Sequence, residues 1–327
     1  MRLRLLTLLS ALVLPLPALA QQSAPLAFVS NEASHDISIV DLRTNRVVGR
    51  IPVSARPRGI HLGPGNRRLY VALTDDNPKV QSRVEGIAVI DVATRRQIAL
   101  YPSGTNPEQF AITPDGARLY ASNEDAGTAT ATDLRTGRVV ATLVVGIEPE
   151  GVAVSPDGRW VYVTAETSNT VSVIDARTNR VANNVLADLR PRAVAFTPDG
   201  SRAFVTNEVS GSLVVVDTRN QQVLRSIALE GGEGKPVGVV VSPDGARVYV
   251  ANGAASVVSV LDARTLRQIA RIPVGRRPWG IALTRDGRTL YAACGLANEV
   301  DVIDTRTNRV TGRIPVGTRP WGVALTR

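Results

Sequence analysis

Gly151-Val-Ala-Val-Ser-Pro-Asp-Gly158, followed by Trp160-Val-Tyr-Val-Thr164, Thr170-Val-Ser-Val-Ile-Asp175 and Arg180-Val181, is the cleanest copy of a unit repeated seven times. Its hallmark aspartate recurs as Asp41, Asp91, Asp133, Asp175, Asp217, Asp262 and Asp304, at spacings of 50, 42, 42, 42, 45 and 42 residues. Periods of about 40–50 residues belong to propeller blades and to helical arrays. Each period here holds four short runs rich in Val, Ile, Tyr and Thr, cut apart by Gly, Pro, Asp and Asn. That is strand chemistry, not the stripe of an amphipathic helix. Four strands in each of seven units predict an all-β chain, a seven-bladed β-propeller of four-stranded antiparallel blades.

The ends of the repeat array predict how the ring closes. Leu26-Ala-Phe-Val-Ser30 matches the second strand of the unit, and Trp321-Gly-Val-Ala-Leu325 matches the first. The C-terminal strand should therefore join the three strands of the N-terminal blade and pair the edges an open array would expose.

Met1-Arg-Leu-Arg4, an apolar run from Leu5 to Leu19 and the small-residue site Ala18-Leu19-Ala20 read as a secretory signal peptide over residues 1–20. The run is shorter than the ~20 residues a bilayer needs. Residues 21–327 are then one propeller domain, expected in a bacterial periplasm as a monomer without a transmembrane segment. The single Cys294 excludes an internal disulfide and a C-x-x-C-H haem site. The formal net charge is +9, and all basic residues except Lys79 and Lys235 are arginine. Export argues against nucleic acid as the partner, and so does the placement of the charge.

Strand direction alternates, so the connections sort onto two faces. Ser155-Pro-Asp-Gly158 and its equivalents, with Pro and Gly where tight turns want fixed or positive φ, lie on an underside together with the Asp-x-x-Thr turns. The hallmark aspartates should cap these turns rather than catalyse. About 21 arginines and about 12 aspartates fall there, giving a basic underside able to orient the molecule toward acidic partners or anionic lipid. The other face, the top, carries the loops from second to third strand and from blade to blade.

Two rings of residues should line the top mouth of the channel. Just after the inter-blade proline stand Arg58, Glu108, Glu150, Arg192, Val237, Trp279 and Trp321; at the end of the second strand stand Glu32, Thr74, Glu124, Glu166, Glu208, Gly253 and Gly295. In a repeat array the deviations carry the information. Trp279 and Trp321 sit on adjacent blades, near Arg277 and Arg319, where Gly253 and Gly295 replace the usual bulky residue. The insertion Asp75–Glu85 is expected to rise beside Trp321. This sector reads either as a recognition site for a flat or apolar ligand or a partner side chain, or as a plug in the channel.

Residues with catalytic chemistry are few. His35 lies in the top loop Asn31–Asp36, and His61 sits on an inner strand where other blades have Ala or Val. Both are assigned to the mouth with Glu32 and Arg58, as binding residues; no metal, cofactor or catalytic residue is assigned, because their spacing demands none. Cys294 occupies a position that is Asn in several blades and reads as a small buried thiol. There is no G-x-S-x-G, P-loop or G-x-G-x-x-G unit.

Tyr162-Val-Thr, Asn169-Thr-Val-Ser-Val-Ile-Asp175, Ile314-Pro-Val-Gly-Thr-Arg-Pro-Trp-Gly322 and the Ser-Pro-Asp-Gly turns resemble the YVTN family of β-propeller repeats over essentially the whole mature chain. Seven such repeats behind a signal peptide further resemble the propeller proteins associated with PQQ-dependent alcohol catabolism. That resemblance implies an accessory or binding role, with a quinoprotein alcohol dehydrogenase or an export-system component as periplasmic partner, and no catalytic residue. The expected function is thus a non-enzymatic binding propeller. The alternative is a lactonase- or lyase-like hydrolase acting at the channel mouth with Glu and His35 or His61.

Overall fold

The computed structural model describes residues 24–75, 84–230 and 234–326. The leader expected over residues 1–20 and most of the insertion Asp75–Glu85, expected beside Trp321, lie outside the described residues. Twenty-eight strands, numbered β1 to β28 in chain order, form seven four-stranded antiparallel sheets. This is the seven-bladed propeller the repeat predicts.

Ring closure follows the expectation. Pro320–Leu325 (β28) lies beside Leu26–Asn31 (β1), followed by Asp36–Asp41 (β2) and Arg46–Pro52 (β3) in the same sheet. The register is Ala27↔Leu325, Phe28↔Ala324, Val29↔Val323 and Ser30↔Gly322. Two side chains lock it. Gly322 N donates to Ser30 Oγ at 3.0 Å, and Leu26 N donates to Thr326 Oγ1 at 2.8 Å.

The hydrophobic core lies between blades. Each of seven apolar clusters joins two neighbouring sheets; one unites Tyr70, Ala72, Ile87 and Val89 of the second blade with Phe110, Leu119 and Ala121 of the third. An aromatic ring from the second strand fills each interface, as with Phe28, Tyr120, Tyr162, Phe204 and Tyr249, all essentially buried. This is why Trp160–Ala165 (β13) and Thr170–Asp175 (β14) are apolar with little alternation: neighbouring blades cover both their faces. The outer Arg180–Leu186 (β15) alternates between exposed and covered residues, as a solvent-facing edge should. The inner Pro149–Val154 (β12) differs from its apolar sequence. Ala153 and Val154 are only half-buried, because its lower half borders the channel rather than a neighbouring blade.

On the underside the hallmark aspartates act as turn caps. Asp175 Oδ1 accepts the Arg177 and Thr178 amides at 2.8 and 3.1 Å, and Asp157 Oδ1 accepts the Arg159 amide and the Ser155 hydroxyl. The Ser155 hydroxyl holds the Asp157 carboxyl below its ordinary pKa. Some underside arginines are structural as well. Arg202 and Arg247 reach from one blade to carbonyls of the next, Ala263 O at 3.1 Å and Thr305 O at 2.6 Å.

Candidate functional site

Each inner strand begins with an irregularity that aims one side chain at the channel. In β12 the pairing with β13 runs through Pro149 and resumes only at Val152, so Glu150 leaves the ladder; the same break follows Pro57, Pro107, Pro191, Pro236 and Pro278. The glycine that often comes next is required by close approach of the neighbouring blade. A Cβ on Gly280 would stand 2.4 Å from Trp321 O, and one on Gly151 would stand 2.3 Å from Arg192 O. Just before the proline, Arg277 and Arg319 hold φ of +57° and +56°, a left-handed conformation uncommon for residues other than glycine. Asn106, Glu148, Arg190 and Lys235 repeat it. The rim is a strained turn made six times over.

At this mouth is a cavity of about 200 Å³ lined by Glu32, Arg58, Glu124, Glu150, Arg190 and Arg192 on one side and by Arg277, Trp279, Gly295, Leu296, Arg319, Pro320 and Trp321 on the other. Of the residues assigned to the mouth from sequence, the fold brings together Trp279, Trp321, Arg277, Arg319, Arg58 and Glu32. His35 and His61 are elsewhere. His35 sits on the turn between β1 and β2, its carbonyl accepting the Val53 amide at 3.0 Å. His61 lies near the far end of Arg56–Leu62 (β4), with Nε2 3.0 Å from Gln109 Oε1 and its ring edge-on to Phe110. It lines a second concavity at the opposite mouth, with Val240, Ile281 and Val323. Three residues of strand beyond Arg58, at about 3.3 Å each, carry it down the channel.

Charge at the mouth is organised into a network that neither ring of positions displays by itself. Arg58 pairs with Glu108 and, at 3.4 Å, with Glu32, which also meets Arg56. Arg192 contacts Glu150, Glu166 and, at 2.6 Å, Glu208; Arg190 pairs with Glu166 and Glu208. Glu108 and Glu166 are buried, and Glu108 Oε1 has no hydrogen-bond partner. Burial, reinforced by the neighbouring Glu150, raises the Glu166 carboxyl to about 9 despite Arg192. Burial likewise raises Glu108 and Glu124 above the ordinary carboxyl value. Carboxylate oxygens of Glu108, Glu124 and Glu150 come within 4.8 Å of one another, with the Arg58 guanidinium already seated on Glu108.

This arrangement fixes a sign for stability against pH. Between about 4.5 and about 9 the folded Glu166 carboxyl keeps a proton that the unfolded chain releases. Stability therefore falls as pH rises through that window, by up to about 1.4 kcal/mol per pH unit for each such group. The melting temperature should be lower at pH 8 than at pH 5, and Glu166→Gln should flatten the difference. A melting curve rising from pH 5 to pH 8 would contradict this reading of the network.

The aromatic sector is different in kind. Trp279 and Trp321 stand with ring centroids 6.2 Å apart and planes tilted 40°. Trp321 is nearly buried and Trp279 partly buried. The guanidinium carbons of Arg277 and Arg192 lie 4.9 and 5.3 Å from the Trp279 ring centroid, within cation–π range. Gly295 lines the cavity and keeps it open where Glu124, Glu166 and Glu208 stand in other blades. Arg277 and Arg319 are exposed and, among the described residues, form no ion pair. Cys294, adjoining Gly295, is a buried thiol whose Sγ contacts Ala292 O, and burial pushes its pKa up, the opposite of what a nucleophile needs.

Architecture and mouth together define a seven-bladed β-propeller with one charged, tryptophan-flanked opening. A family model for the choice-of-anchor I domain matches residues 18–187, slightly more than half of the chain, and the chain belongs to that family. A second model, "Lactonase, 7-bladed beta-propeller", matches residues 177–315. No curated protein sequence matches the chain. Among solved structures, it is similar to Kuenenia stuttgartiensis hydrazine synthase (24% identity, 85% of this chain and 92% of that one, TM-score 0.76). It is also similar to a functionally unknown protein from Desulfotomaculum acetoxidans DSM 771 (19%, 92% and 99%, TM-score 0.78). A putative 6-phosphogluconolactonase from Bacteroides uniformis ATCC 8492 is a third (18%, 93% and 100%, TM-score 0.76). At these identities the likeness is one of fold.

Proposed function

We propose that this chain is a non-enzymatic, exported binding propeller that holds a partner protein or a small molecule at its top mouth, as an accessory to PQQ-dependent alcohol oxidation in the periplasm. The observation that carries the binding reading is the Trp279–Trp321 pair beside an open cavity. A plug would fill the space it stands in, whereas here the neighbouring side chain is reduced to Gly295. The link to alcohol oxidation is supported by the YVTN-like repeats and the leader-like first residues, and makes a quinoprotein alcohol dehydrogenase the first partner to try. Truncating a central aromatic anchor commonly costs about 2 kcal/mol or more, roughly thirtyfold in affinity. In titration against that dehydrogenase, Trp279→Ala and Trp321→Ala are expected to weaken binding about thirtyfold, while Glu148→Gln on the opposite rim leaves it within a factor of three. Glu166 and Arg192 are unsuitable as controls for the opposite rim, because both are buried in the charge network. Equal losses in all three variants would remove the Trp sector as the site.

A lactonase-like reading is favoured by the lactonase family match over residues 177–315 and by one feature of the mouth. Glu166 is an acid kept protonated at neutral pH, with Glu150 beside it, the pairing of environments that general acid–base catalysis uses. Glucono-δ-lactone hydrolysis followed by pH-stat discriminates the two. The binding reading expects no rate above buffer; turnover abolished by Glu166→Gln would establish the hydrolase instead.

A further inference from the structure

We infer that the natural ligand of the mouth is a small monocyclic anion, its ring against Trp279 and Trp321 and its carboxylate or phosphate held between Arg277 and Arg319. This deepens the binding reading and rests on it, since the site is the same. Three independent observations select the class.

The first is charge. Of the arginines that line the cavity, Arg58, Arg190 and Arg192 are each committed to carboxylates, at least two apiece. Arg277 and Arg319 have no such partner among the described residues and face solvent. Their rim turns hold left-handed φ in both cases, so backbone geometry brings two uncompensated guanidiniums to one side of one opening. A planar guanidinium presents a fork that matches a carboxylate or a phosphate. The acidic side of the cavity is already engaged elsewhere: Glu32 meets Arg56 and Arg58, Glu150 meets Arg192, and Glu124 Oε2 accepts the Asn106 side-chain amide at 2.8 Å.

The second is shape. Two indoles 6.2 Å apart and tilted by 40° offer flat apolar surface for a ring, and Arg277, now 4.9 Å from the Trp279 centroid, is free of carboxylates and able to leave that face for a guest's anionic group. The third is volume. A cavity of about 200 Å³ is below the roughly 300–1,000 Å³ that drug-sized ligands occupy, which limits the guest to one ring with its anionic group. A macromolecular partner could enter only by inserting a side chain or a chain end of that size.

Tryptophan emission reads this site directly once Trp160, which lies at the start of β13 near the underside, is replaced by Phe. In that background, benzoate and phenyl phosphate should quench saturably, and the tighter of the two names the anionic group. Benzamide, which keeps the ring but not the charge, should bind at least tenfold more weakly, and so should acetate and inorganic phosphate, which keep the charge without the ring. Arg277→Gln and Arg319→Gln should each lower affinity for the ringed anion at least tenfold and erase its advantage over benzamide, and Arg319→Gln, an exposed residue with no ion pair among the described residues, should leave the melting temperature in place. Benzamide binding as tightly as benzoate, or Arg319→Gln without effect, would overturn the ligand class. So would absence of saturable quenching by either ringed anion at millimolar concentration. If the dehydrogenase nevertheless binds through Trp279 and Trp321 while the ringed anions do not, the monocyclic-anion assignment falls and the mouth as a binding site stands.

Discussion

A chain shortened to end at Arg319 is expected to lose its soluble folded state altogether. Residues 320–325 supply the innermost strand of the first blade, and their removal strips β1 of a ladder that pairs Ala27 through Asn31. Each buried backbone group left without a partner costs about 1–3 kcal/mol. The loss also uncovers the cluster in which Ala324 packs with Phe28, Ile39, Leu69 and Val71, and it removes the nearly buried Trp321. Together these exceed the ~5–15 kcal/mol by which a domain of ordinary stability stays folded. The measurement is the soluble yield and near-ultraviolet dichroism of the truncated protein, with a synthetic peptide of residues 320–326 added in trans. Aggregation relieved by the peptide fits this closure; a cooperative melt of the truncated chain within a few degrees of the full-length protein contradicts it.

Arg192→Met should be the most damaging single substitution at the mouth, destabilising the protein by about 3–5 kcal/mol, as breaking a buried ion pair from one side commonly does. The guanidinium is 11% exposed and contacts Glu150, Glu166 and Glu208 at once. Methionine keeps much of the length but leaves those carboxyls facing one another with only Arg190, itself 46% exposed, nearby. Arg192→Met combined with Glu150→Gln should recover part of the loss, since the second change removes a charge the first has orphaned. Chemical denaturation of the single and double variants measures all of this. A loss under 1 kcal/mol at pH 8 would mean that the network is solvated and contributes little.

The fold was legible because the signal was redundant. Seven copies of one pattern predict the same four strands, and Trp321-Gly-Val-Ala-Leu325 could be recognised as the partner of β1 because six other first strands stood as templates. The aromatic sector was legible for the complementary reason: Trp279, Trp321 and Gly295 depart from what the other blades put there. The charge network was not, because its partners are separated by whole repeats, as with Arg192 and Glu150, and by blade depth, as with Arg192 and Glu208. Aligned positions reveal which residues share a ring, not which of them reach each other or lose their water. That is also why Glu166 and Arg192, rim residues by position, prove to be interior ones. His61 stands on an inner strand, as its sequence position indicates, but three residues past the rim residue Arg58, which places it in the opposite half of the channel.

The bond from Gly322 to Ser30 spans 292 positions of the chain, and that gives the closed ring a direction in time. The first three strands leave the ribosome long before the segment that completes their sheet exists, so an unfinished chain always carries one open edge and one uncovered apolar face. Contacts this distant in sequence make for slow folding, and here they tie its last step to the arrival of the last strand. The closing segment works as a checkpoint on the blades made before it, and a chain that lacks residues 320–325 cannot pass it.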